Sequence, residues 1–300
     1  MPIVPSNGIE ICYDSFGDPA NPTILLVSGL GAQMINFDED FIGRFVAKGY
    51  HVVRYDNRDT GLSTWFDDAP YDVNAGFAAM RAGTPVSAPY SLSDMAADGI
   101  GVLDHLGIRR AHIVGTSMGG MLVQTMAIEH PSRVASLTSI MSSPGEPDNG
   151  QAAKGVFSRL MSGPVTTREE AVAAAVATGR VTGSQEHFDE ERAAAKAGAS
   201  YDRAYHPEAT QRQLLAIWSS GPRTEALKRL DVPTLVIHGR QDPLIQLDGG
   251  LRTAELIPGS LLMVLDEMGH DLPVPLWPQI VDAITGLAAA AEKAGAGTAR

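Results

Sequence analysis

Residues 111–124 read A-H-I-V-G-T-S-M-G-G-M-L-V-Q. An apolar run stops at Gly115, Ser117 follows two residues later, and Gly119 and Gly120 come within three more. A β-branched run ending on glycine, then an apolar stretch reaching Pro131, reads as a strand handing over to a helix. Gly115 and Gly119 leave room for that strand and helix to approach, and Ser117 sits at the strained apex with its hydroxyl displayed. G-T-S-M-G (115–119) fits the G-x-S-x-G nucleophile-elbow pattern in the strand–turn–helix setting the pattern requires. The competing reading is a glycine-rich connection without chemistry, and the rest of the chain decides between the two.

Similar apolar runs recur at T-I-L-L-V (23–27), H-V-V-R-Y (51–55), V-A-S-L-T-S-I (134–140), T-L-V-I-H (234–238) and L-L-M-V-L (261–265). Nearly continuous apolar segments are expected of strands covered on both faces. Amphipathic helix-length stretches separate them, at 37–49 with Gly49 as a stop and at 91–107. In the second, Ser91 is an N-cap candidate with Asp94 three residues on, and Gly107 closes the helix. This alternation predicts an α/β fold with a mostly parallel sheet and helices on both faces.

The alternation breaks twice. Residues 64–90 read as a loop rich in Pro, Gly, Ala and Asp. Residues 146–225 hold no convincing strand and carry Ala- and Glu-rich helical patterns such as T-R-E-E-A-V-A-A-A-V-A. The chain therefore divides into a core of residues 1–145 and 226–300 and a helical insertion, a cap or lid, at 146–225.

With 300 residues, 44% hydrophobic and 19% charged, the chain can bury a large core. A net charge of −12 argues against nucleic acid or an anionic membrane as the main partner, since both demand clustered Lys and Arg. The single cysteine, Cys12 in I-E-I-C-Y, excludes an intrachain disulfide and reads as a buried structural thiol. M-P-I-V-P-S-N-G has neither the charged nor the apolar region of a signal peptide, and no apolar run approaches the ~20 residues of a membrane span. A cytoplasmic location is the expectation.

A serine hydroxyl needs a base to become a useful nucleophile. Of eight histidines, His112 lies within a strand, His130 ends a helix, and His187 and His206 fall in the insertion. His270, in D-E-M-G-H-D-L-P directly after the last strand, is the candidate that a short loop could carry over the sheet edge. Asp242, in H-G-R-Q-D-P-L-I, follows the penultimate strand, with Pro243 fixing the turn; Asp248, Asp266 and Asp271 compete with it. Such a carboxylate would orient the imidazole and stabilise its charged form. The second oxyanion donor is sought after the 23–27 strand, in L-L-V-S-G-L-G-A-Q, where the amide of Leu30 would stand beside that of Met118.

The order Ser117, Asp242, His270 resembles that of the α/β-hydrolase fold family, and the resemblance covers residues 5 to 290. R-Y-D-N-R-D-T-G-L-S (54–63) is similar to a turn segment of esterases related to aclacinomycin methylesterase and actinobacterial lipase/esterases. The resemblance implies an eight-stranded, mostly parallel sheet, a Ser-Asp-His triad, a helical cap over the site, no cofactor or metal, and carboxylic-ester substrates. Carried onto this chain, it matches Ser117, Asp242 and His270 as the triad and Leu30 and Met118 as oxyanion donors. Ser28 stands where a histidine often precedes the oxyanion glycine, so that part of the match is weaker. Asp56 and Arg58 are expected to pin their loop rather than react.

Three functions compete. The first is a serine ester hydrolase, acting on methyl, lipid or thioesters, with a small-molecule ester as its partner and a homodimer left open. The second is a cofactor-free haloperoxidase-like perhydrolase, a carbon–carbon bond hydrolase or a lyase on the same triad. The third, a binding protein on a hydrolase scaffold, predicts a decayed triad, and no member has decayed. Met161, Tyr201, Tyr205 and Trp218 are candidates for the pocket wall, against an ordinary role in the cap core.

Overall fold

The computed structural model describes residues 1–157 and 165–298. Eight strands form one sheet: β1 (Ile3–Ser6), β2 (Ile9–Phe16), β3 (Thr23–Val27), β4 (His51–Tyr55), β5 (Ala111–Thr116), β6 (Val134–Ile140), β7 (Thr234–Gly239) and β8 (Leu261–Leu265). Their order is β1-β2-β4-β3-β5-β6-β7-β8. β2 runs antiparallel to β1 and β4, and every other pairing is parallel. The six apolar runs read from sequence are all strands. The other two form an N-terminal hairpin whose turn residues, Asn7 and Gly8, both take positive φ (48° and 81°). That is the conformation a two-residue hairpin loop needs to match strand twist.

Helices cover both faces. α3 (Leu92–His105) and α4 (Met118–Glu129) bury one face with Leu103, Leu122 and Met126. α1 (Glu39–Val46) and the C-terminal α10 (Trp277–Thr298) bury the other with Phe41, Phe45, Trp277 and Ile284. α10 is the one described helix long and apolar enough to cross a membrane, and its apolar stripe, from Ile280 to Ala288, is buried in this core. Ser91 and Asp94 make the reciprocal capping box that starts α3, and Gly107 beyond its end has φ 67°.

The stretch 64–90 departs from its reading as a loop. It contains α2 (Val73–Ala82), started by Asp72 accepting the Ala75 amide and stopped by Gly83 at φ 66°. Asp and Pro at the ends of the stretch obscure a helix-forming run, V-N-A-G-F-A-A-M-R-A, that gains its stability by packing. Gly76 lies so close to Leu215 that a Cβ there would come within 2.1 Å of its Cδ2.

Between β6 and β7 the described residues hold α5 (Arg168–Thr182), α6 (Glu190–Arg203), α7 (Glu208–Ser220) and the short α8 (Thr224–Leu227), and no strand. α9 (Leu247–Leu256) links β7 to β8. α7 docks through a buried ion pair, Arg212 Nε to Asp59 Oδ2 at 2.8 Å, with Tyr90 donating its hydroxyl to the same carboxylate at 2.6 Å. Arg58 and Asp98 form a second buried pair, with two contacts of 2.7 Å.

Candidate active site

The register of the central strands brings the site together. Val27 pairs with Gly115, and Thr116 with Ile140, so the turns after β3, β5 and β6 emerge side by side. β7 and β8 end together at Gly239 and Leu265, adding the loops that bear Asp242 and His270.

Ser117 occupies φ 56°, ψ −120°, a conformation that costs about 1–3 kcal/mol for a residue with a side chain. Neighbours hold it there. Its amide donates to Ile140 O at 2.9 Å, and its own carbonyl accepts the Gly120 amide at 2.9 Å. The surrounding glycines are steric requirements. A Cβ on Gly115 would sit 2.0 Å from Gly119 O, and one on Gly119 would sit 2.1 Å from Val27 O.

His270 Nε2 lies 3.0 Å from Ser117 Oγ, and His270 Nδ1 lies 2.7 Å from Asp242 Oδ2. Asp242 Oδ1 accepts the amides of Leu244 and Ile245 at 2.8 and 2.9 Å, which leaves its other oxygen for the imidazole. Asp242 is 4% exposed, so its charge would act on the imidazole with little screening by solvent. The competing aspartates bond to other groups: Asp248 accepts Gly150 N, Asp266 binds Arg240, and Asp271 binds Ser184. Beneath Asp242, His238 hydrogen-bonds through Nε2 to Ile245 O at 2.8 Å, and burial lowers its pKa. Asp271, beside His270, is pushed above the ordinary carboxylate range by burial.

Met118 opens α4 immediately after the serine. Gly29 packs against it, since a Cβ there would lie 3.2 Å from Ser117 Cβ. Leu30 follows on a turn closed by Ala32 N donating to Gly29 O at 3.2 Å, with Gly31 at φ 65°. Leu30 and Met118 both line the cavity with Ser117 and His270. The 54–63 segment braces this turn. Asn57 Nδ2 donates to Ser28 O at 3.1 Å, and Asp56 Oδ1 accepts the Met34 amide at 2.8 Å. Arg58 points away to Asp98, so both residues hold the loop.

The cavity has a volume of about 1890 Å³, larger than the roughly 300–1,000 Å³ of ordinary small-molecule pockets. Trp218 lines it, facing Phe77 of α2 at 5.8 Å and Phe157 at 6.2 Å between ring centroids. Tyr201 and Tyr205 do not line it; they border a separate cavity beside α5 and donate to Thr166 O and Val165 O. Met161 lies outside the described residues.

Sequence reading missed Phe77, Ser184 and Gln213. The last had a faint signal, because Ala209, Arg212, Gln213 and Ala216 fall on one helical stripe that is apolar at its ends. Polar residues on such a stripe must find buried partners.

The profile of the α/β-hydrolase fold matches residues 22–274. Rhodomycin D methylesterase DauP of Streptomyces sp. (strain C5) is 27% identical, over 94% of this chain and 96% of its own. 2-Hydroxymuconate semialdehyde hydrolase of Pseudomonas putida is 30% identical over 65% of this chain and 66% of its own. Among solved structures, the enol-lactonase from Burkholderia xenovorans LB400 superposes with a TM-score of 0.74 at 22% identity, covering 95% of this chain and 99% of that one.

Proposed function

This chain belongs to the α/β-hydrolase fold family, and we propose that it is a serine-dependent carboxylic ester hydrolase. The observation that carries the proposal is the continuous path Ser117 Oγ–His270 Nε2 and His270 Nδ1–Asp242 Oδ2, at 3.0 and 2.7 Å, opening into the cavity. Likeness over nearly the whole chain to a methylesterase supports ester hydrolysis.

In this reading Ser117 Oγ attacks the acyl carbonyl while His270 Nε2 takes its proton. The amides of Leu30 and Met118 hold the resulting oxyanion. Collapse of the tetrahedral adduct expels the alcohol, protonated by His270, and leaves the acyl group on Ser117. Water then attacks that ester with His270 again as base, releasing the acid and restoring the serine. The helical insertion at 146–225 acts as the cap that shapes the pocket. The wall of Phe77, Phe157 and Trp218 suits an ester with a bulky apolar portion.

A second reading, carbon–carbon bond hydrolysis on the same residues, is favoured by likeness to 2-hydroxymuconate semialdehyde hydrolase. The test is labelling by a fluorophosphonate together with turnover of aryl methyl esters and of vinylogous 1,5-diketones. Labelling at Ser117 with methyl-ester turnover lost in Ser117→Ala supports the ester reading. Turnover of diketones alone selects the second, and an unlabelled, inactive protein overturns both.

A further inference from the structure

The oxyanion turn, Gly29–Ala32, is held from one side by the core and from the other by the insertion. Asn57 takes the Ser28 carbonyl, and the Asp56 carboxylate takes the Met34 amide. Neither reaches the middle of the turn, where Gly31 has left-handed φ and Leu30 carries the amide assigned to the oxyanion. That middle is met by α7. Gln213 Oε1 accepts the Gly31 amide at 2.8 Å. Its Nε2 donates to Arg58 O at 2.8 Å and to Thr60 Oγ1 at 2.7 Å.

These three bonds use both N–H groups of the amide and one lone pair of its oxygen, and Gln213 is 0% exposed. Its orientation has no alternative: flipping it would turn the NH2 toward the Gly31 N–H and the oxygen toward Arg58 O. One turn away on the same helix, Thr210 touches the glycine. A Cβ on Gly31 would lie 2.6 Å from Thr210 Oγ1. The turn is therefore pressed against α7 as well as bonded to it.

We infer that Gln213 is a positioning residue: by fixing the Gly31 amide to the Arg58–Thr60 segment, it aims the preceding Leu30 amide at the oxyanion formed on Ser117. The insertion then completes the oxyanion site in addition to walling the pocket. Catalysis by such donors depends on their being fixed before charge develops, and small misplacements cost large factors in rate. The inference rests on Ser117 being the nucleophile.

The experiment compares wild type with Gln213→Leu, which removes all three bonds, and Gln213→Glu, which keeps an acceptor for Gly31. Active sites are titrated with a fluorophosphonate, folding is followed by thermal melting, and kinetics are measured on p-nitrophenyl butyrate. A trifluoromethyl ketone, whose adduct places an oxyanion in the site, is measured beside the corresponding alcohol, which does not. Per titrated site, Gln213→Leu is expected to lose roughly 10–100-fold in kcat and the same factor in trifluoromethyl ketone affinity. KM and alcohol affinity should stay within about twofold, and Gln213→Glu should recover part of the loss.

A folded Gln213→Leu with unchanged kcat, or a raised KM at constant kcat, overturns the inference. If Gln213→Leu does not fold, Gln213→Glu decides by the same kcat and inhibitor comparison. Failure of both to fold makes Gln213 a structural cross-link and also overturns it. If wild type is neither labelled nor active, it is the ester-hydrolase reading that falls.

Discussion

Ser184 Oγ donates to Asp271 Oδ1 at 2.5 Å and accepts the Gly269 amide at 2.9 Å, so one hydroxyl clasps both chain neighbours of His270. The Ser184 amide reaches the same Asp271 oxygen at 3.0 Å, and the His270 amide donates to Thr182 O at 2.7 Å. Ser184 follows α5, so the segment between β6 and β7 anchors the loop of His270 as Gln213 anchors the turn at Gly29–Ala32.

Ser184→Ala leaves the buried Gly269 amide without its acceptor, a loss of about 1–3 kcal/mol. Freed from one clasp, His270 should spend less time in line with Ser117, and kcat is expected to fall about tenfold with KM little changed. Thermal melting and steady-state kinetics on one ester check both, and an unaltered kcat would show that Thr182 and Asp271 suffice.

Asp242→Asn keeps an oxygen for the Leu244 and Ile245 amides but turns an NH2 toward His270 Nδ1. The imidazole must then present its other tautomer, and kcat is expected to fall roughly 10⁴-fold. The melting temperature should change little. Comparable activity in the variant would mean another group orients the histidine.

Gly115→Ala sets a methyl group against the backbone of Gly119, which has nowhere to retreat because it already abuts Val27 O. Overpacking against backbone on this scale is expected to cost more than about 3 kcal/mol. A soluble variant melting within a few degrees of wild type would contradict the closeness of β5 and α4.

Arg212→Met strands the fully buried Asp59 carboxylate, still bonded to Tyr90 and Phe66 but without its counter-charge. The expected loss is about 3–5 kcal/mol, and Asp59→Asn in the same chain should return part of it. Urea unfolding of the two singles and the double measures the coupling.

Burial holds the imidazoles of His51, His112 and His238 below their ordinary pKa. A base whose pKa is lower in the folded state binds more protons when unfolded. Its contribution is complete above the unfolded value, ~6.5, and is lost as pH falls through it toward the folded value. Burial raises the Asp98 and Asp271 carboxyls, which act in the opposite sense from ~3.9 upward. His238→Gln keeps a donor for Ile245 O and does not titrate, so its melting temperature should fall less than wild type's between pH 7 and 5. Identical slopes would remove His238 from the account.

Residues adjacent in sequence were the legible ones. The elbow, the capping box at Ser91 and Asp94, and six strands each follow from steric or hydrophobic patterns within about a dozen positions. The helix at 73–82 is not legible in sequence, because the close approach it makes, Gly76 against Leu215, is to a residue far along the chain. Tyr201 and Trp218 look alike in sequence as wall candidates, and only the tertiary fold places Trp218 on the cavity that holds Ser117 and His270 and Tyr201 on another.

By itself the sequence determined the strained turn at Ser117, because only glycines at 115 and 119 let strand and helix touch there. It also determined the order of Ser117, Asp242 and His270, the proposed triad, since each follows a recognisable strand. Position in the sequence favours Asp242 among four carboxylates, and the structure places it against His270; the tertiary structure alone decided which remote side chains brace these loops. Gln213 and Gly31 are separated by 182 positions, and Ser184 and Gly269 by 85. A hydrogen bond leaves a local trace in sequence only when its partners share a turn or a strand pair, and these partners are brought together only by the tertiary fold.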